Sequence, residues 1–211
     1  YYYHLYFETV DWSNDAWSED FFARVNPPVA KYVFGGSLAL RGLHLHDGNL
    51  QRAFNRSWRS PASLRAQVDD RMLLVTRQTS ALFGALVCSL AFWMAARLGG
   101  VAAGVVAVGL LLGDPLFVVK ARSGLTDTLL LFHLALIAPV AWQAVRAQQR
   151  YLQTPAPGSR QTIRWLLQVA VLPGVIIALA AGTKLNGAIA GPIYAMGLVV
   201  GTLLLSSRSG W

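Results

Sequence analysis

The sequence predicts an all-α protein: a polytopic transmembrane helix bundle with an outer-face loop that contains short interfacial helices. Three observations predict it. The 211 residues are 55% hydrophobic and only 13% charged, about half the charge of a soluble domain, which averages about 25%. From Met72 onward, apolar runs of the ~20 residues needed to cross a hydrocarbon core recur, and mean hydropathy is +0.44. The charge is also unevenly spread. Residues 1–71 hold eight acids and eight bases, so the whole net charge of +8 comes from the remainder, with ten bases and two acids. Those bases fall mostly between apolar runs, where they meet lipid headgroups or cytosol. This distribution argues against nucleic acid as a partner and for membrane lipid.

Residues 1–71 form the first unit. They are aromatic, charged and turn-rich, with no stretch of membrane length. Within them "ARVNPPVAKYVFGG" predicts a helix start. Asn26 is a capping residue and Pro27 suits a first helical position. "PVAKYVFGGSLAL" then reads as a short helix whose Val29, Tyr32, Val33 and Leu40 lie against the membrane surface. By fixing where the helix begins, Asn26, Pro27 and Pro28 fix where Lys31 points.

Residues 72–211 form the second unit, with about five helices. "LLVTRQTSALFGALVCSLAFWMAA" predicts one near 73–97. "VAAGVVAVGLLL", Asp114-Pro115 and "LFVV" predict a second near 101–119. "DTLLLFHLALIAPVAWQAV" predicts a third near 125–145, "WLLQVAVLPGVIIALAAG" a fourth near 165–182 and "GAIAGPIYAMGLVVGTLLL" a fifth near 187–205. Pro173 and Pro192 fall inside two of these, which membrane helices tolerate when neighbours satisfy the freed carbonyls. Gly99, Gly100, Gly104, Gly187 and Gly191 let helices approach closely. No internal repeat is visible. The chain opens on Tyr1-Tyr2-Tyr3 with no initiator Met or signal peptide, and reads as a piece truncated at both ends.

Orientation follows from the connections. "RAQQRYLQTPAPGSRQTIR" carries Arg146, Arg150, Arg160 and Arg164 with no acid, and belongs inside. Arg97 and Arg208 then also fall inside. Residues 1–71, "KARSGLTD" and "GTKLNG" fall outside, so Asp127, Lys120, Arg122, Lys184 and Lys31 share one face. An acid in a membrane segment is a functional candidate. Asp127, at the start of an apolar helix, reads either as a charge on the helix dipole or as an acceptor-positioning carboxylate. The four bases read either as interfacial anchors or as a cradle for an anionic phosphate headgroup. Asp114, before Pro115, reads as a turn or kink. His133 reads as packing or an interhelical hydrogen bond, and the single Cys88 as a small buried hydrophobe. His44, His46 and Asp47 lack a partner motif, so no metal site is expected.

The order "NPPVAKYVFGGSLALRG", "TRQTSALFGAL", "ARSGLTDTLLLFHLAL" and "AAGTKLNGAIAG" resembles the membrane half of the protein O-mannosyltransferase and aminoarabinose-transferase group. These are GT-C glycosyltransferases that use dolichyl- or polyprenyl-phosphate sugars. Asn26, Pro27 and Pro28 match the Pro-Pro element after the first outer loop. Ala121, Arg122 and Asp127 match the segment that opens a later helix. Thr183, Lys184, Leu185 and Gly187 match a further segment, with Leu in place of its aromatic residue.

The resemblance implies a GT-C-like N-terminal membrane region and a membrane glycosyltransferase. It implies transfer of a sugar, mannose or another hexose, from a polyprenyl-phosphate donor to an acceptor hydroxyl on a protein, lipid or glycan. Transfer would occur at the outer face with inversion. Asp127 would position the acceptor, and Lys31, Lys120, Arg122 and Lys184 would hold the donor phosphate. The lipid-linked sugar is the donor substrate and no cofactor is expected. Residues 1–26 hold no Asp-Glu pair of the kind the family places in the first outer loop. The main catalytic acid is therefore expected upstream of Tyr1, with Glu8 and Asp11 as substitutes. A bacterial or archaeal plasma membrane is expected rather than endoplasmic reticulum. The alternatives are a transporter, which predicts midplane charges and repeats, and a non-catalytic assembly subunit, which leaves the one-sided charge unexplained.

Overall fold

The structure, a computed structural model, describes residues 28–43, 70–124 and 126–208. All regular structure among them is helical, as the composition predicts. Asn26, Pro27, the His44–His46–Asp47 group and the aromatic start lie outside the described residues.

Helix α1 (Pro28–Ala39) opens on a proline, whose missing N–H is one that a first turn leaves unpaired anyway. It stops in a double-bonded C-cap. Leu43 N donates to the Leu38 carbonyl at 3.1 Å and Gly42 N to Ala39 at 2.9 Å, with Gly42 at φ +67°. "LALRGL" therefore encodes its own helix stop, because glycine takes the left-handed position without a Cβ penalty.

Helix α2 (Asp70–Gly113) is two limbs that meet at Gly100, where φ is 81° and ψ 175°. The limbs fold back on each other. A Cβ on Gly104 would lie 2.8 Å from the Phe92 ring, whereas residues twelve apart in a straight helix stand about 18 Å apart. Farther along, a Cβ on Gly84 would lie 2.9 Å from the Ala121 Cβ. This antiparallel hairpin accounts for one 44-residue helix where two shorter ones were expected.

The second limb does not run on to residue 119. It ends at Gly113, and helix α3 (Pro115–Arg122) begins afresh. Pro115 has no N–H to offer the preceding turn. Asp114 instead caps the new helix, its Oδ1 accepting from Leu116 N at 2.9 Å. The turn reading of Asp114 agrees with this geometry.

Helix α4 (Asp127–Leu152) then crosses the bundle with Pro139 buried inside it. Helix α5 (Ser159–Leu166), a π turn (Leu167–Val171) and helix α6 (Leu172–Thr183) run back as one apolar-centred span that starts six residues before the expected 165. A 3-10 turn (Leu185–Ile189) leads into helix α7 (Ala190–Arg208). The membrane-length span here is Asn186–Leu204, with its first turn 3-10 and the α-helical part from 190. Pro192 sits in the first turn of α7, where a missing N–H removes no helical bond. Four helices, counting the α2 hairpin as one, are long and apolar enough to cross a membrane.

The core lies where α4, α6 and α7 meet, on Ile137, Val140, Ala144, Ile176, Ala180, Ala190 and Tyr194. Outward faces carry exposed Leu98, Val101, Leu110, Val175 and Leu203, as lipid-facing helices do. In lipid the hydrophobic effect drives helices together weakly, so close packing and interhelical hydrogen bonds carry more of the specificity. One such bond repairs a proline. Pro173 withdraws the donor that an α-helix would aim at the Val169 carbonyl, and the Tyr194 hydroxyl donates to that carbonyl at 2.6 Å.

Candidate functional site

The hairpin returns α3 to the level at which α2 began, and α4 and α6 reach the same end from opposite directions. Three ionic side chains distant in sequence meet there. The Asp127 Oδ2 accepts from Lys120 Nζ at 2.6 Å, and its Oδ1 accepts from Lys184 Nζ at 2.9 Å. The carboxylate is 26% exposed and the lysines 40% and 31%, so the cluster opens to the surface. It carries one negative and two positive charges. Both carboxylate oxygens are engaged, while each ammonium keeps donors beyond the one it spends on Asp127. Chemically this is a preorganised cationic face suited to a phosphate.

Each member is held by its own backbone. Lys120 lies in the last turn of α3, and its carbonyl accepts from the Ser80 hydroxyl at 3.2 Å and from Ser123 Oγ at 3.0 Å. Ser80 Oγ is also 2.6 Å from Thr128 Oγ1. Ser80 and Thr128 are fully buried or nearly so, and they pin α2, α3 and the start of α4 together directly beneath Asp127.

Lys184 is placed by α6 and the turn after it. Thr183 donates to the Leu179 carbonyl at 2.7 Å and stands 3.1 Å from His133 Nδ1. Since the threonine proton is spent on Leu179, His133 is the donor from Nδ1. This is the interhelical hydrogen bond between α4 and α6. Lys184 itself adopts extended backbone, φ −157° and ψ 141°, and its carbonyl accepts from Gly187 N at 2.7 Å. A Cβ on Gly187 would run into the Ala180 carbonyl, so only glycine lets the 3-10 turn fold against the end of α6.

The other sequence candidates lie as follows. Pro28 opens α1. Lys31 is on α1, half-buried. Its helix docks at the same end, because a Cβ on Gly182, two residues before Lys184, would lie 2.7 Å from Val29 Cγ2. Arg122 is exposed and lies two residues beyond Lys120, a spacing that puts side chains on different faces of a helix. The structure thus brings Lys120, Asp127 and Lys184 into contact, sets Lys31 on an adjoining helix and turns Arg122 away from the pair. Sequence reasoning missed Ser80 and Thr128, and had Thr183 only as part of a matched segment, not as a hydrogen-bond partner. A hydroxyl inside an apolar run was the available signal. Among the described residues no group of three or more His, Cys, Asp or Glu is arranged to hold a metal.

A family model described as dolichyl-phosphate-mannose-protein mannosyltransferase matches residues 4–209 of the chain. No curated protein and no solved structure matches it.

Proposed function

The chain belongs to the dolichyl-phosphate-mannose-protein mannosyltransferase family, and from that premise we propose that the Lys120–Asp127–Lys184 cluster holds the donor phosphate. The protein is an integral membrane protein of a family of glycosyltransferases that use polyprenyl-phosphate sugars. The proposed reaction moves a hexose, mannose by the family's description, to an acceptor hydroxyl on a protein, lipid or glycan at the outer face.

In this reading the acceptor oxygen attacks the anomeric carbon from the side opposite the phosphate. The new C–O bond forms as the bond from that carbon to the phosphate oxygen breaks, which inverts the centre. The products are the glycoside and the polyprenyl phosphate, and the acceptor proton passes to a carboxylate. Asp127 has both oxygens on lysines, so it positions rather than deprotonates. The base belongs to a carboxylate outside the described residues. Lys120 and Lys184 meet the charge that gathers on the departing phosphate. Lys31, on the adjoining helix α1, extends the positive face toward the lipid headgroup.

The observation that carries this reading is one carboxylate clamping two ammoniums from separate helices at one exposed end of the bundle. The test uses the protein in proteoliposomes with labelled polyprenyl-phosphate mannose and candidate hydroxyl acceptors. Lys184→Ala and Lys120→Ala are each expected to lower kcat by about a hundredfold, the usual loss for one transition-state charge partner. Absence of sugar transfer from any polyprenyl-phosphate donor would overturn the enzymatic reading. Unchanged kcat in both variants would overturn only the assignment of the phosphate to this cluster.

A further inference from the structure

The opposite end of the bundle holds a second cationic site. A cavity of about 380 Å³ opens there between the first limb of α2, α4 and the π turn, lined by Trp93, Arg97, Trp142, Arg146, Arg150 and Gln168. The Arg146 guanidinium lies 4.7 Å from the Trp142 ring centroid and that of Arg97 5.7 Å from Trp93. A guanidinium held over an indole ring in this way still has N–H donors for an oxyanion. No carboxylate side chain lies in residues 71–113 or 128–211; the acids of α2 and α4, Asp70 and Asp127, are their first residues, far along each helix from the cavity.

The cavity adjoins an apolar one. Met94, Leu98 and Trp142 line it and also a groove of about 540 Å³ between α2, α4 and α7. Ile137, Val145, Ile193 and Leu204 line the rest of that groove. A three-arginine pocket that shares a wall with a hydrocarbon-lined groove has the polarity of a phospholipid: anionic head at one end, acyl chain at the other. A free phosphate explains the arginines but not the groove. A neutral lipid explains the groove but not three arginines with no acid among the described residues that line their pocket.

We propose that this end binds one anionic phospholipid, its phosphate among Arg97, Arg146 and Arg150 and an acyl chain in the groove beside Trp142. The site is separate from the Lys120–Asp127–Lys184 cluster and its test requires no catalysis.

The test measures lipid retention by native mass spectrometry on the whole chain in detergent. Phosphatidylglycerol and phosphatidylcholine with identical acyl chains compete for it. The wild type is expected to retain one phosphatidylglycerol in preference to phosphatidylcholine. Removing two charges in R97Q/R146Q should lower that preference by about thirtyfold, the equivalent of two interfacial arginines. R160Q, on α5 outside the pocket, should leave the preference intact. Ala138→Leu fills the groove without touching a charge and should weaken phosphatidylglycerol binding about tenfold, the cost of displacing a few buried methylenes.

The proposal is overturned if folded R97Q/R146Q keeps the preference, or if R160Q loses as much. It is also overturned if inorganic phosphate displaces the bound lipid as readily as added phosphatidylglycerol does. Should R97Q/R146Q fail to fold, Ala138→Leu decides: undiminished binding there removes the lipid from the groove.

Discussion

Asp127 gives one oxygen to each of two lysines, and that arrangement contributes little to folding. Exposed ion pairs are worth about 0.2–1 kcal/mol each, and all three side chains are a quarter or more exposed. Its consequence lies in aim. Without the carboxylate the two ammoniums repel and spread, and a misplacement of ~1 Å can cost about a hundredfold in rate. Asp127→Asn keeps the shape and one acceptor oxygen but removes the charge. The expected outcome is a kcat about a hundredfold lower with no rise in KM for the lipid donor, since removing a negative charge leaves the phosphate attracted at least as strongly. Thermal unfolding should barely move. An unchanged kcat would mean that Asp127 serves only the helix dipole.

At the scale of elements, the bundle is built around repaired breaks. The π turn and Pro173 leave the Val169 carbonyl without its usual donor, and Tyr194 supplies one from α7. Tyr194→Phe removes that donor at a part-buried position, so a loss of about 1 kcal/mol is expected, read as a lower midpoint in thermal unfolding with helicity retained. A midpoint within error of the wild type would show that the carbonyl finds another partner. The same breaks mark how far the sequence could be read. Apolar length and flanking charge located the helices, because the cost of unpaired backbone in lipid leaves few alternatives. The Asp127–Lys184 side of the site was legible for the same reason: charges at connections on one side of the membrane must lie near one another. What one sequence did not disclose was tertiary. Pro139, buried inside α4, reads like any helix-breaker until neighbours are known. Ser80 and Thr128 look like incidental hydroxyls until a hairpin places residues 48 apart within 2.6 Å. The break at Asp114 was written in Asp-Pro, yet an uninterrupted apolar run on both sides argued for one helix.

The whole molecule is polarised end to end. Two lysines and one aspartate meet at one end, while Arg97, Arg146, Arg150 and Arg164 line adjoining cavities at the other, with no acid among the described residues that line them. The arginine end is also braced. Trp165 stacks on Tyr151 with centroids 4.6 Å apart and donates from Nε1 to Gln148 at 2.7 Å, tying α5 to α4. Positive residues are retained on the cytoplasmic side during insertion, so this asymmetry predicts an orientation with the Asp127 cluster on the outer side. The claim is open to a labelling experiment. Cys88 is the only cysteine, so a Cys88→Ser chain has no native thiol. Asn186 is exposed in the turn after Lys184, and a Cβ on Gly158 meets no atom within 4 Å, so both positions accept cysteine. In intact cells a membrane-impermeant thiol reagent is expected to label Asn186→Cys and to spare Gly158→Cys until the membrane is opened. The reverse pattern would invert the bundle and move the proposed sugar transfer to the cytoplasmic face. Labelling of both in intact cells would contradict the odd number of crossings that separates the two connections.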